Sequence, residues 1–499
     1  MFSKNRFRTW LAIALAVIMA IGLAACGSGN NAVPTAAPAT TAAATTAAAT
    51  TAAAATTAAT TAAASPAADE VTIRYAHWNV GAEDEDNMER RMINLYMENN
   101  PHVKIEVVEN VDFDDFLASL RALAVSGDLP DLMAISQMPV VLAEGMLQNI
   151  TSIVEKDAEW AAYMPHSMIE LVTFNGNIWA LPAEMYAYGF WVNDEMFDAA
   201  NIPRLEVGFT WEEFVSSVKA LTVPSRQWMG VNGYNYFLDF IPYYINNGWG
   251  PYCHDGENFQ LGHADFIRGV QMCNELFAGK YTTSALTAED REVYEMEDDT
   301  DLWERGQLGF MLEGTWMMSY FDWTAKDLFE SRWIGLPDNI SWLIPEFFGI
   351  STTCKTPEAV YDFAKWMSFS KAGFMQRIDF RDNDGVEMDI MPIIEDRDAW
   401  NAFFSGAIGD YKLTFETLEN AIFDGEAYIP GWMGAIYRTP TGIDVMINDV
   451  PFENASVKNV IRAAMCGSIN MADYADELNR IANEAVAAAR VEIDRVTKQ

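Results

Sequence analysis

From residue 71 onward, apolar and polar positions alternate. Val71, Ile73 and Tyr75 interleave with Thr72, Arg74 and Ala76, a strand pattern, and Met88, Met92 and Leu95 then recur at helical spacing. His102 to Glu109 alternates again. Phe113 to Val125 carries Phe116, Leu117, Leu120 and Leu123 along one helical side, and Asp131 to Ser136 reads as a third strand. This β-α-β-α-β order predicts a parallel sheet covered by helices. Ligands of such sheets sit beyond the carboxyl ends of the strands, and Trp78-Asn79 and Ser136-Gln137 fall at two of those ends. Further on, Thr210-Trp211-Glu212-Glu213 is a capping box ahead of Phe214, Val215, Val218 and Leu221. Thr356-Pro357 opens another helix with Ala359, Phe363, Trp366 and Met367 on its apolar face, and a last helix runs near Tyr474 to Val496. All these helices are read as scaffold.

The front of the chain follows different rules. Lys4, Arg6 and Arg8 precede an apolar run from Trp10 to Leu23, and Leu23-Ala24-Ala25-Cys26 supplies small residues before a cysteine. This is the pattern of a secretory signal, residues 1–25, with a junction that resembles a bacterial lipobox, so Cys26 is the expected lipid acceptor. Nothing after Cys26 is long and apolar enough to span a bilayer. Residues 26–68 form the tether: from Gly27 to Ala68 there is no charged residue, only Ala and Thr with a few others in near-repeats of TTAAA. Such a stretch cannot bury enough apolar surface to offset its ordering entropy. As a coil its 42 residues would hold the folded part on the order of 35 Å from the anchor.

Charge narrows the partners. The 32 basic residues less the three in the signal leave 29 against 71 acidic ones, a net charge of −42 for the mature chain. Nucleic acid is excluded on that ground, and passive adhesion to anionic lipid is disfavoured. Half of the residues are hydrophobic, so the acidity describes a solvated surface and not a disordered chain. About 430 residues follow the tether, enough for two or three globular units. Cys253, Cys273, Cys354 and Cys466 form no CxxC; free buried thiols are expected, with a Cys253–Cys273 disulfide as the lesser alternative.

Several stretches resemble, in order, the family 1 extracellular solute-binding proteins of ABC importers, the maltose-binding-protein-like carbohydrate type in lipoprotein form. They are Ser126 to Asp131 (SGDLPD), Leu142 to Ile150 (LAEGMLQNI), Asn175 to Pro182 (NGNIWALP), Gly189 to Phe197 (GFWVNDEMF), Gly306 to Trp316 (GQLGFMLEGTW), Gly349-Ile350-Ser351 with the Thr356 helix, and Tyr428 to Trp432 (YIPGW). Two departures stand out: the usual glycine pair is Gly248-Trp249-Gly250, and residues 370–425 are longer and more acidic than the family pattern. The resemblance implies an α/β, two-lobed periplasmic-binding-protein-like fold with a hinge and an interlobe cleft. One lobe would comprise 69–184 plus about 335–390, the other 185–334 plus about 391–499, with one crossing near Pro182 to Gly189. It further implies a monomer that captures a carbohydrate or sugar-like ligand and delivers it to the transmembrane subunits of an ABC permease. The expected location is the bacterial cell surface, lipid-anchored to the outer face of the cytoplasmic membrane or facing a periplasm.

Sugars present flat C–H faces ringed by hydroxyls, so their sites need aromatic plates beside oriented polar groups. The aromatic candidates are Trp78, Tyr186, Trp249, Trp316 and Trp432, and the polar ones Asn79, Gln137 and Glu184. By position in the family, Trp316 and Trp432 are the stacking candidates and Glu184 and Tyr186 the hinge-side contacts. Each has a plainer alternative: tryptophans also fill cores, and Asn79 or Gln137 can cap helices. The acidic run Glu83 to Asp86 suits a helix N-terminus. Asp382-Asn383-Asp384-Gly385 has part of a calcium-loop pattern, but Phe380 and Met391 stand at the first and twelfth ligand positions. No GxSxG, HExxH or GxxxxGK[ST] occurs, and His77, His102, His166, His254 and His263 never fall at metal-ligand spacing. No cofactor, metal or catalytic residue is therefore expected. A secreted glycoside hydrolase, and a surface sugar sensor or adhesin without an importer, stay open as alternatives.

Overall fold

The computed structural model describes residues 70–108, 111, 116–233, 236–325, 327–405 and 421–498. The signal segment, Cys26, the tether and Phe113 lie outside the described residues.

The initial alternation becomes β1 (Val71–Ala76), α1 (Met88–Asn99), β2 (Val103–Val107), α2 (Phe116–Ser126) and β3 (Leu132–Ile135). β1 pairs in parallel with both β2 and β3, setting Ile73 opposite Ile105 and Tyr75 opposite Leu132. Ile73 and Tyr75 are buried while Thr72 between them is exposed, as period-two alternation requires. Asn87 caps α1 by accepting from the Arg90 N–H.

Next come β4 (Leu181–Asn193), α3 (Trp211–Leu221), β5 (Met229–Val231), α4 (Phe237–Ile245), β6 (Leu308–Gly314), β7 (Ser331–Gly335) and β8 (Trp342–Ile350). After them follow α5 (Pro357–Met367), α6 (Lys371–Asp384), β9 (Ile422–Phe423), α7 (Gly425–Tyr428), α8 (Val457–Met465) and α9 (Ala475–Thr497). The capping box at α3 forms in both directions between Thr210 and Glu213. The main sheet runs β2-β1-β3-β8-β4-β6-β5, with β7 also paired to β4 and β9 to β8. β8 and β4 are neighbours at the middle of this sheet. β8 pairs with β3 through Phe347–Ile350 and with β4 from Trp342 onward, and β4 pairs with β6 and β7 beyond Tyr188.

Each lobe has its own core. In the first, Tyr75 meets Phe348 and Phe363 edge-on, and the Trp366 indole donates to the Met92 carbonyl at 3.1 Å. α5 buries Val360, Tyr361, Phe363, Ala364 and Met367, so Phe363 and Met367 of the expected face are in the core while Ala359 and Trp366 are half-buried at its border. In the second, Phe190, Phe214, Phe237, Phe310 and Trp342 join Val460, Leu478 and Val486 in one cluster. Farther along α9, Asp494 and Thr497 accept from the Asn175 amide at 3.0 and 2.6 Å, which ties this helix to the hairpin over Thr173–Ile178.

Asp382, Asn383 and Asp384 form the last turn of α6, and Gly385 (φ 71°) caps it in the left-handed region. Arg91 donates to Asp384 at 2.6 Å, so these residues are a helix end and not a cation loop. Among the described residues no group of three His, Cys, Asp or Glu side chains is placed to hold a metal. Cys253, Cys273 and Cys354 are buried free thiols with no Cys253–Cys273 disulfide, Cys466 is half-buried, and burial pushes the Cys253 and Cys273 thiols up. Part of the longer acidic stretch runs beside β4: the Met391 N–H points to the Met185 carbonyl at 3.4 Å, and Asp389 accepts from the Ser319 N–H at 2.5 Å.

Candidate functional site

Strands β4 and β8 build the centre of the site. Antiparallel register sets Glu184 opposite Glu346, Tyr186 opposite Ile344 and Tyr188 opposite Trp342. Directly opposed residues point to the same side of a sheet, so these six side chains line one face. Tyr188 stacks on Trp342 with ring centres 4.4 Å apart and on Tyr236 at 5.5 Å. Trp316 meets Tyr188 edge-on at 4.9 Å and Tyr186 at 5.8 Å. The turn after β6 fixes that tryptophan: the Ala187 N–H donates to Thr315 Oγ1 at 3.0 Å, and the Trp316 ring lies so close over Gly314 that a Cβ there would collide with it. Glycine at 314 is a packing requirement. Trp316, Tyr188 and Tyr236 are only half-buried, which leaves ring surface for a ligand.

From the first lobe, the end of β1 supplies His77, Trp78 and Asn79. The Asn79 N–H donates to His77 Nδ1 at 2.9 Å, so the ring proton sits on Nε2, which faces Glu184 Oε1 at 3.2 Å. Glu184 Oε2 accepts from the Tyr186 hydroxyl at 2.6 Å and from the Asn79 amide at 3.4 Å. Burial acts to raise Glu184, but His77, the hydrogen bond from Tyr186 and the Arg377 charge outweigh it and hold the carboxyl below the usual range. Glu346, across the sheet, goes the other way, driven up by burial and by the neighbouring Glu184 with which it shares a hydrogen bond. After the end of β3, Gln137 precedes the helix from Met138, which packs against α7 and its Glu426. Trp78 packs edge-on against Phe116 at 4.8 Å.

The second lobe adds more charge. Burial raises Asp239, Asp424 and Glu426, and burial lowers Lys458, whose ammonium lies 4.1 Å from the Tyr437 ring centre and 5.6 Å from that of Tyr236. Glu313, before the Trp316 turn, is pushed up to about 7 by burial, against hydrogen bonds from Gly314 and Trp316. A carboxyl raised above its unfolded value of 4.5 imposes no cost below that pH, a growing cost up to about 7, and a constant one beyond. Glu313→Gln should therefore gain stability relative to the parent as pH rises through that window. Melting temperatures at pH 4, 5.5, 7 and 8 check this, and a pH-independent difference would contradict it.

Of the residues singled out from sequence, Asn79, Glu184, Tyr186 and Trp316 are brought together, with Gln137 ahead of the helix that packs against α7 and Trp78 beside His77. Two others lie elsewhere. Trp249 donates its indole N–H to Asp265 at 2.8 Å and packs against His263. Trp432 is buried in the second-lobe core between Tyr252 and Phe259. Sequence reasoning missed His77, Tyr188, Tyr236, Trp342, Glu346, Asp424, Glu426 and Lys458. Tyr188 had a readable signal, because Glu184, Tyr186 and Tyr188 continue one period-two series.

Residues 68–373 match the family described as bacterial extracellular solute-binding protein. The chain belongs to that family. It is a solute-binding protein, not an enzyme. Its fold is similar to that of an ABC substrate-binding protein from Listeria monocytogenes solved in complex with cycloalternan, at 16% identity and TM-score 0.62, over 86% of this chain and 100% of that one. The sugar-binding protein MalE from Xanthomonas citri aligns at 12% identity and TM-score 0.63, over 85% of this solute-binding protein and 99% of its own chain. A solute-binding protein from Thermotoga lettingae bound with alpha-D-tagatose aligns at 14% identity and TM-score 0.61, covering 83% and 99%.

Proposed function

We propose that this solute-binding protein captures a carbohydrate or sugar-like solute on the face shared by β4 and β8 and delivers it to the transmembrane subunits of an ABC permease. The observation that carries this reading is the row of half-buried rings, Trp316, Tyr188 and Tyr236, set beside Glu184, Asn79 and Gln137. Aromatic plates bordered by hydrogen-bonding groups match the C–H faces and hydroxyls of a sugar. Cycloalternan and tagatose, held by two proteins of the same fold, support the class of ligand. The two lobes on this reading are 69–184 plus about 335–390 and 185–334 plus about 391–499, hinged at β4 and β8, and closure of one on the other couples capture to a shape change. A thermal-shift screen of the mature chain against saccharides tests the function. A ligand at 100 times its dissociation constant adds about 2.7 kcal/mol of stability; a broad saccharide panel that shifts nothing would remove the sugar assignment.

The anchor belongs to the same proposal. Cys26 follows Ala24-Ala25 after the apolar run, and no helix among the described residues is long and apolar enough to cross a membrane. Lipid on Cys26, with residues 26–68 as tether, would hold a monomeric binding protein at the outer face of the bacterial cytoplasmic membrane, within reach of its permease. Cys26→Ala should move the protein from the membrane fraction to a soluble one. Retention of the variant in washed membranes would contradict an anchor at this residue.

A further inference from the structure

Glu346 is nine-tenths buried, and its Oε2 has no hydrogen-bond partner among the described residues. A buried carboxylate oxygen left without a donor is costly and calls for an explanation. Its surroundings are rich in acceptors. Glu184 stands directly across the sheet and shares a hydrogen bond with it, and Glu426 acts on it from α7. Gln137, after the end of β3, precedes the helix from Met138 against which α7 packs, and its buried Oε1 is unpartnered. Asp424 acts on both Glu426 and Asp239, and Asp239 is buried with an unpartnered Oδ2. Orphaned acceptors thus come from β3, α4 and β8, three separate elements.

At Glu346 itself no cation of the described residues meets this demand. Arg377 is committed to Glu89 and the Met367 carbonyl. The Lys458 ammonium lies over Tyr437, and the carboxyls it acts on are those of Asp239, Asp424 and Glu426, not the Glu346–Glu184 pair. Arg438 acts on Glu426 only at a distance. Two facing carboxyls that share a hydrogen bond hold one proton between them, and a ligand cation can take that proton's place.

We propose that the solute carries a protonated amine, seated among Glu346, Glu184, Glu426 and Gln137, so that the ligand class is an amino sugar or a cationic saccharide. An ammonium offers three donors and no acceptor, the complement of a pocket made of acceptor oxygens. A neutral hydroxyl offers one donor and sets its own lone pairs against the carboxylates. This inference rests on the reading of the β4–β8 face as the solute site.

The test is calorimetric titration of the full mature chain with sugars that differ only at one substituent. Glucose, glucosamine and N-acetylglucosamine, the β-1,4 oligomers of each, and the matching galactose and mannose sets compare hydroxyl, ammonium and acetamide on the same frames. The amine forms should bind at least about tenfold tighter than their neutral counterparts. Glu346→Gln and Glu426→Gln, each first shown by its melting curve to be folded, should cut that amine-to-neutral preference by about tenfold or more. Neutral sugars binding as tightly as the amines would overturn the cationic ligand while leaving the sugar site standing. Equal weakening of amine and neutral sugars in both variants would overturn it too. Binding by no saccharide in the panel would overturn the sugar site itself, and this inference with it.

Discussion

Arg377→Met is expected to lower the stability of the folded chain by about 3–5 kcal/mol, the cost of leaving a buried charge without its partner. Arg377 and Glu89 are both buried, and the guanidinium donates to Glu89 Oε2 at 3.1 Å and to the Met367 carbonyl at 2.8 Å. The pair joins α6 to the first turn of α1, so one substitution strips a carboxylate inside the first lobe and leaves a carbonyl unpaired. Replacing both members, Glu89→Met with Arg377→Met, should recover much of the loss, because two apolar side chains of similar volume leave no stranded charge. Urea unfolding of the parent, both single variants and the double variant gives the coupling directly. Equal and additive losses would show that the pair contributes no mutual stabilisation. The single variant has a second reading at the site, since the Arg377 charge is one of the influences that keep Glu184 ionised.

Trp316→Ala is expected to raise the dissociation constant of the bound solute about tenfold or more, with a smaller effect on folding. The ring is half-buried, covers Gly314, and forms T-shaped contacts with Tyr186 and Tyr188, so part of its surface is open to a sugar. A fully buried tryptophan would behave in the opposite way, costing about 3–5 kcal/mol of stability. Trp432, packed between Tyr252 and Phe259 in the second-lobe core, is the internal comparison. Trp432→Ala should lower the melting temperature sharply. Calorimetry and melting curves on the two variants separate the roles; unchanged affinity in Trp316→Ala would remove this ring from the site.

These two tryptophans also show where sequence reading runs out. Both follow glycine-containing segments matched to the same family, and nothing local distinguishes them. Trp316 stays half-buried because the turn after β6 ends beside β4, where Thr315 accepts from the Ala187 N–H. Trp432 is enclosed because residues far away in the chain, Tyr252 and Phe259, close over it, and because its ring lies against Gly425, where a side chain would collide. Enclosure is a property of neighbours brought in from elsewhere. Trp249 repeats the lesson, since its indole is taken by Asp265 on a different helix.

What the sequence determined by itself is everything that depends on a few consecutive residues. Period-two alternation located β1, β2 and β3; the capping box located the start of α3; and Thr356-Pro357 marked α5. Pro182 to Gly189 was expected as a crossing only through the family match, and the segment lies within β4, which pairs with β8 on one side and β6 on the other. The tertiary structure alone decided which side chains oppose one another across that crossing. Glu346 faces Glu184, and Trp342 stacks on Tyr188, through the antiparallel register of β8 on β4, a pairing of residues more than a hundred positions apart. The charge state of the site was decided there too, because a carboxyl's proton depends on its burial and on the charges packed around it, and neither is written in the residues beside it.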